Sequence, residues 1–246
     1  MADNYLEKRY EEVFGNGTAK KVVKHGGPSL NTLLVKNRSI RRFRTDAEVS
    51  IEHLRTIVEV NTRIASAMNR QTLRFAIVCR PSSSGPESDR QCGNMTGSGH
   101  PDYEALCRIY SHGQARRVPP AAFIVIFSTL PEARYIDIDL GISLQSMALK
   151  AVELGYNCLM MGNVRPDELS DAVSAGHPDR AASISNLHPL ALLAVGKPDE
   201  SAFLKPVSMS DAPLDDTGSP SPDFLSYYDK DGVHYVPKLV LDDILL

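Results

Sequence analysis

After Ser50, apolar residues recur at Ile51, Leu54, Ile57, Val58, Ile64, Ala65 and Met68. That is the three-and-four spacing of one helix face, with Ser50 placed to cap its first turn, and it predicts an amphipathic helix over 51–68. The helix delivers the chain into Ala67-Met68-Asn69-Arg70-Gln71. Three short runs rich in Ile, Val, Leu and Phe, at 74–79, 121–127 and 190–195, predict buried strands, the last closed by Gly196 and Pro198. From 138 to 154 a helix-forming run carries apolar residues on nearly every face, and Gly155 stops it. Such a helix is covered on all sides, either in the domain centre or at a subunit interface. Segments 81–101 and 208–222 have the Ser, Gly, Asp and Pro content of loops. The remaining tail, 223–246, is too short for a domain and must pack on another surface, which favours the interface for the apolar helix.

No sequence period repeats, so one domain over 1–246 is expected, with an N-terminal extension at 1–28 and a C-terminal arm at 223–246. Hydrophobic residues make up 42% of the 246 and charged residues 23%, the balance of a folded globular chain. A formal net charge of -3 excludes the broad basic field that nucleic acid or an anionic membrane would require. The longest apolar run, 118–127, falls well short of the roughly 20 residues of a membrane span and contains two prolines. The first ten residues mix acids and bases where a signal peptide would carry an unbroken apolar stretch, so a cytoplasmic location is expected. Cys79, Cys92, Cys107 and Cys158 form no CxxC pair and are too sparse for a disulfide scaffold, which suits a reducing compartment and argues against structural zinc. The histidines lack metal-ligand spacing, and His53, His100, His112 and His177 are expected at the surface.

The usual dinucleotide, P-loop, metalloprotease and hydrolase signatures are absent. Asn37-Arg38-Ser39-Ile40-Arg41-Arg42-Phe43 instead places three arginines and a hydroxyl within five positions. Guanidinium groups give planar, charge-assisted hydrogen bonds to phosphate oxygens, and a serine hydroxyl can complete such a site. A solvated basic face accounts for the same residues, and the pattern alone leaves both readings standing. Ser66-Ala67-Met68-Asn69-Arg70-Gln71 sets two amides between a helix and a strand, suited to a heterocycle edge or simply to a turn. Near the C-terminus, Lys238 follows the rigid Pro237.

In order and spacing these segments resemble the FMN-dependent nitroreductases. Arg38-Ser39-Ile40-Arg41 looks like the family's RSxR/K phosphate motif and Ser66 to Gln71 like its SxxNxQ segment. Asp139-Leu-Gly141 through Leu154-Gly155 is similar to its dimer helix, Ala194-Val-Gly196-Lys-Pro198 to the GxP after its last core strand, and His234-Tyr-Val-Pro-Lys238 to one branch's ending. The resemblance covers 29–246, with 81–117 unmatched. Thr72 and Leu73 stand where the family usually has proline and an aromatic, and Leu239 stands where an arginine often follows the tail lysine.

The resemblance implies an α+β fold, with a central mixed β-sheet flanked by helices in an intertwined homodimer whose C-terminal arm lies on the partner. It implies FMN held at its phosphate by Arg38, Ser39, Arg41 and Lys238, and contacted from the other subunit by Ser66, Asn69 and Gln71. Backbone near Met161 and Gly162 would face the reactive edge of the ring, and no side chain acts as a catalytic acid, base or nucleophile. The implied activity is electron transfer from NADH or NADPH to small planar acceptors such as nitroaromatics or quinones by a ping-pong mechanism. A non-catalytic flavin sensor or store on the same fold is the alternative. Arg42 is expected in an ion pair, and Tyr227 and Tyr228 as packing anchors for the tail.

Overall fold

A computed structural model of the chain describes residues 27–81, 100–112, 117–131, 133–214, 218–219 and 221–245. Strands β1 (Leu73–Cys79), β2 (Ala122–Ser128), β3 (Asn157–Met161) and β4 (His188–Gly196) form a sheet in the order β1-β2-β4-β3, antiparallel throughout. Every residue of β2 is buried, as expected of a central strand covered on both faces. Successive side chains on a strand point to opposite faces, and the core divides accordingly. Phe123, Val125 and Phe127 pack with Leu192 and Ala194 on one face, against Leu106, Tyr110, Leu169 and Val173. Ile124 and Ile126 pack with Ala191 and Leu193 on the other, against Leu54, Ile57, Met147 and Ala151.

The helices supplying these layers are α1 (Leu30–Lys36), α2 (Ile51–Glu59), α3 (Pro101–Ser111), α4 (Arg134–Glu153), α5 (Pro166–Ser174) and α6 (Pro178–Ile184). Helix α3 lies inside the segment that resembled nothing, and it buries Tyr103, Leu106, Ile109 and Tyr110. Residues 82–99 of the expected loop lie outside the described residues. Helix α2 is capped by the Ser50 hydroxyl as its sequence indicated, but it stops at Glu59 rather than at Met68. The amide of Asn61 bonds back to the Val58 carbonyl and the hydroxyl of Thr62 to Glu59, so local side chains take over the carbonyls that a further helical turn would use. Gly155, at φ +82°, ends the last turn after α4 in the left-handed conformation that favours glycine.

Within one chain, α4 is buried on its sheet side and leaves Ile138 and Ile142 exposed. Beside the main sheet, β5 (Ser201–Val207), β6 (Tyr228–Lys230) and β7 (Val233–Leu239) form a second sheet in the order β5-β7-β6. There β7 runs parallel to β5 of the same chain and antiparallel to β6. The arm is therefore a hairpin seated on its own β5. Among the described residues, parallel pairing is found here and in two isolated bridges, Ser39 to Cys158 at the β3 edge and Arg42 to Val118. No helix among the described residues is long and apolar enough to cross a membrane. Cys79 is disulfide-bonded while Cys107 and Cys158 are free thiols, so cysteine usage supplies no argument for a reducing compartment.

Candidate functional site

The arginine segment is stitched to the fold along its backbone. Ile40 N donates to Cys158 O at 3.0 Å, Arg38 N to Asn157 Oδ1 at 3.3 Å, and Asn157 Nδ2 to Lys36 O at 3.1 Å. The buried Tyr110 hydroxyl donates to Arg41 O at 2.7 Å, and Glu200 Oε1 accepts from the backbone N–H of both Arg41 and Arg42. Phe43, fully buried, closes the segment against Gly196. A Cβ at Gly196 would come within 2.9 Å of the Phe43 ring and 3.1 Å of Ala121 N, so the glycine of the GxP motif is required by close approach. Ile40 packs into the core with Phe43, while Arg38 and Arg41 stay half-buried and Ser39 and Arg42 are exposed.

Arg42 Nε pairs with Glu200 Oε2 at 3.2 Å, the ion pair its sequence position suggested. Arg38 and Arg41 have no carboxylate partner among the described residues. The Arg38 Nε is buried with no hydrogen-bond partner among the described residues, while its Nη2 donates to the Leu34 carbonyl. Burial pushes this guanidinium's pKa below its ordinary value, because nothing nearby compensates the lost hydration. The Arg41 guanidinium lies over the Tyr227 ring, 5.0 Å from its centroid. Tyr227 in turn packs on His234, and Tyr228 stacks on Tyr235 and accepts from Lys205 Nζ of β5 at 3.1 Å, so Tyr227 through Arg41 and Tyr228 through Lys205 tie the arm to the rest of the chain. Ser39 is exposed beside the arginines. Lys238 is exposed on β7, and no described hydrogen bond or ion pair joins it to them. Met161 is buried at the end of β3, whereas Gly162 is exposed with open space where a side chain would stand.

The amide segment lies across the sheet. It leads into β1, on the edge opposite β3, three strand spacings of about 4.8 Å away. Met68, Asn69 and Gln71 all have positive φ, near 50°, and all three are exposed. Ser66 has its hydroxyl committed inside the loop: Oγ donates to Asp139 Oδ2 at 2.9 Å and accepts from Gln71 N at 3.0 Å. Ala67 N donates to Asp139 Oδ1 at 2.9 Å, and the Gln71 amide donates to Asn69 Oδ1 at 3.0 Å. Thr72, one of the departures from the family pattern, is buried, and its hydroxyl has no partner among the described residues.

The structure thus brings Arg38, Ser39 and Arg41 together beside β3, and Ser66, Asn69 and Gln71 together before β1, but it does not join the two groups within one chain. Sequence reasoning missed Glu200, Asn157 and Tyr110, which hold the arginine backbone, and no sequence signal marks them. Two of the four histidines expected at the surface are partly buried and paired. His53 Nδ1 lies 2.8 Å from the Tyr156 hydroxyl, and His177 Nε2 lies 3.2 Å from the buried Asp102, which also accepts from Arg180 at 2.8 Å. Burial raises the pKa of the Cys158 thiol well above its ordinary value, which suits a packing residue beside the site rather than a nucleophile.

None of the curated proteins matches the chain. Among solved structures, it is similar to a nitroreductase family protein from Clostridium difficile 630, with 22% identity over 68% of this chain and 83% of that one and a TM-score of 0.46. It is also similar to an FMN-dependent nitroreductase from Clostridium difficile R20291, at 19% identity over 69% and 87% with a TM-score of 0.48. A third is a variant of an FMN- and NADPH-dependent nitroreductase from sphigopyxis sp. strain HMH, at 19% identity over 70% and 89% with a TM-score of 0.48. The model of the Nitroreductase family matches residues 34–197, about two thirds of the chain, from the end of α1 through β4. The chain belongs to the nitroreductase family.

Proposed function

We propose that this chain, folded as one domain over 1–246, is an FMN-dependent oxidoreductase that passes electrons from NADH or NADPH to small planar acceptors such as nitroaromatics or quinones. Membership of a reductase family supports the class. The observation that carries the cofactor is the pair of uncompensated guanidinium groups, Arg38 with its buried, unpartnered Nε above all. A buried donor without an acceptor is costly, and a phosphate oxygen is the acceptor whose charge and geometry fit a guanidinium best. The donor set therefore fits the phosphate of FMN, with Ser39 in reach to complete the site and Lys238 as a further cation from the arm. Bound FMN would supply the hydride chemistry through its ring.

The remaining work falls to this chain. Gly162, with no side chain and open space beside it, leaves room for a flat ring and for a second flat molecule on its face. Asn69 and Gln71 offer amide donors and acceptors for a ring edge. Because these amides leave from the sheet edge opposite the arginines, we read the site as completed by a second copy, whose amide loop approaches the flavin held here. Helix α1 has no buried residue and exposes Leu30, Leu34 and Val35, while α4 exposes Ile138 and Ile142, apolar surface that a second copy would cover. Donor and acceptor then share one pocket in turn, which gives ping-pong kinetics.

The test is Arg38→Ala with Arg41→Ala. Two charge-assisted contacts of roughly 1.5 to 3 kcal/mol each make the expected loss in FMN affinity about a hundredfold or more, in a protein that stays folded because neither side chain fills the core. FMN binding at wild-type affinity by the double variant would remove the phosphate reading.

A further inference from the structure

Helix α4 is apolar on most of its surface, yet it buries two polar side chains one turn apart, Asp139 at 4% exposure and Ser143 at 0%. Residues four apart lie on one helix face, and both reach the stretch 61–67 between α2 and β1. Ser143 Oγ donates to Asn61 Oδ1 at 2.5 Å, just after α2, and the Asp139 carboxylate accepts from Ser66 Oγ and Ala67 N, each at 2.9 Å. Asp139 is an acidic residue, buried, and paired with no arginine, lysine or histidine among the described residues. A carboxylate in that position loses its hydration, and an apolar side chain of similar size would pack without that loss. Its two neutral donors both belong to the 66–71 loop.

That loop needs an anchor. Met68, Asn69 and Gln71 sit at φ 51°, 52° and 49°, a region that side chains with a Cβ rarely occupy. The hydrogen bonds that oppose the strain form one chain: Asp139 fixes Ser66 and Ala67, and Ser66 Oγ then accepts from Gln71 N. The loop is tied from beneath while Asn69 and Gln71 face outward.

We propose that Asp139 is a positioning residue: its buried carboxylate grips Ser66 and Ala67 and so holds the 66–71 loop in the strained shape that presents Asn69 and Gln71 to flavin. This rests on the flavoenzyme reading above. Ser66 accordingly works through the loop's own fold rather than by touching the cofactor.

Two readouts separate the proposal from that reading: FMN affinity by flavin fluorescence, and limited tryptic cleavage of the FMN-free protein after Arg70, in the loop, relative to cleavage after Arg108 on α3. Asp139→Ala and Ser66→Ala should each weaken FMN about tenfold to a hundredfold and raise cleavage after Arg70 selectively. The double variant should be no worse than Asp139→Ala, since both remove one network. Asp139→Asn, which keeps one acceptor oxygen, should fall between Asp139→Ala and wild type. Ser66 is only partly buried, so Ser66→Ala carries the test if Asp139→Ala fails to fold. Affinity within about twofold of wild type with unchanged cleavage overturns the proposal, as does a double variant whose losses add or cleavage that rises equally at both sites. Selective cleavage in a protein whose wild type takes no FMN supports the anchor and sinks the flavoenzyme reading instead.

Discussion

At the scale of single residues, burial and the presence or absence of a partner separate the side chains available to a ligand from those that only pack. The guanidinium groups of Arg38 and Arg41 have no anionic partner among the described residues, whereas that of Arg42, next in sequence, is satisfied by Glu200. Thr72 offers a sharper case. Its buried hydroxyl has no partner among the described residues, so Thr72→Val keeps the shape and removes an unpaired polar atom. We expect a gain of about 1 kcal/mol in denaturant unfolding, read as a rise of roughly 2 to 4 °C in Tm for a chain of this size; a loss of stability would mean that the hydroxyl is bonded. Cys158 is buried and its thiol is held protonated by that burial. In the folded protein its alkylation should stay slow from about pH 7 to 9, whereas in the unfolded chain the rate should climb with pH as an ordinary thiol titrates. Cys158→Ala should leave turnover within a few-fold, while Gly162→Val, which fills the open space beside the ring site, should reduce it sharply.

At the scale of elements, the expectation for the arm is that removing 223–246 releases FMN. The truncation takes away Lys238, uncovers the face of Arg41 now under Tyr227, and strips β5 of its parallel neighbour. Flavin retained at wild-type affinity by the truncated protein would show that the arm is dispensable. Strands β1, β2 and β4 were legible within two residues because each is a run of Ile, Val, Leu and Phe that few other structures bury. Helix α4 was legible because its apolar residues continue until Gly155. Helix α2 was overextended: its apolar spacing runs on past the point where Asn61 and Thr62 capture the preceding carbonyls, and periodicity does not register that competition. Strand β3 is only five residues long, and its role as the rail for Arg38 to Ile40 depends on partners more than a hundred positions away. For the candidate site, residue types pointed to the arginines and amides. The grip of Glu200 on Arg41 and of Asp139 on Ser66 is tertiary, so no local pattern could reveal it.

At the scale of the whole molecule, the two halves of the candidate site sit at opposite sheet edges, and α1, α4 and the end of the arm expose Leu34, Val35, Ile138, Leu241, Ile244 and Leu245. Apolar surface so distributed fits association with a second copy, and light scattering at micromolar concentration should return the mass of a dimer; a well-folded monomer loaded with FMN would defeat the shared site. The central claim is that bound flavin here turns over. Its most direct measurement is the visible absorbance of the FMN-loaded protein, mixed with NADH or NADPH under anaerobic conditions and then with a quinone. The account predicts rapid bleaching by the donor and full return of colour on adding the acceptor, whereas flavin that stays bound and oxidised with either donor would contradict it and leave a flavin sensor or store in its place.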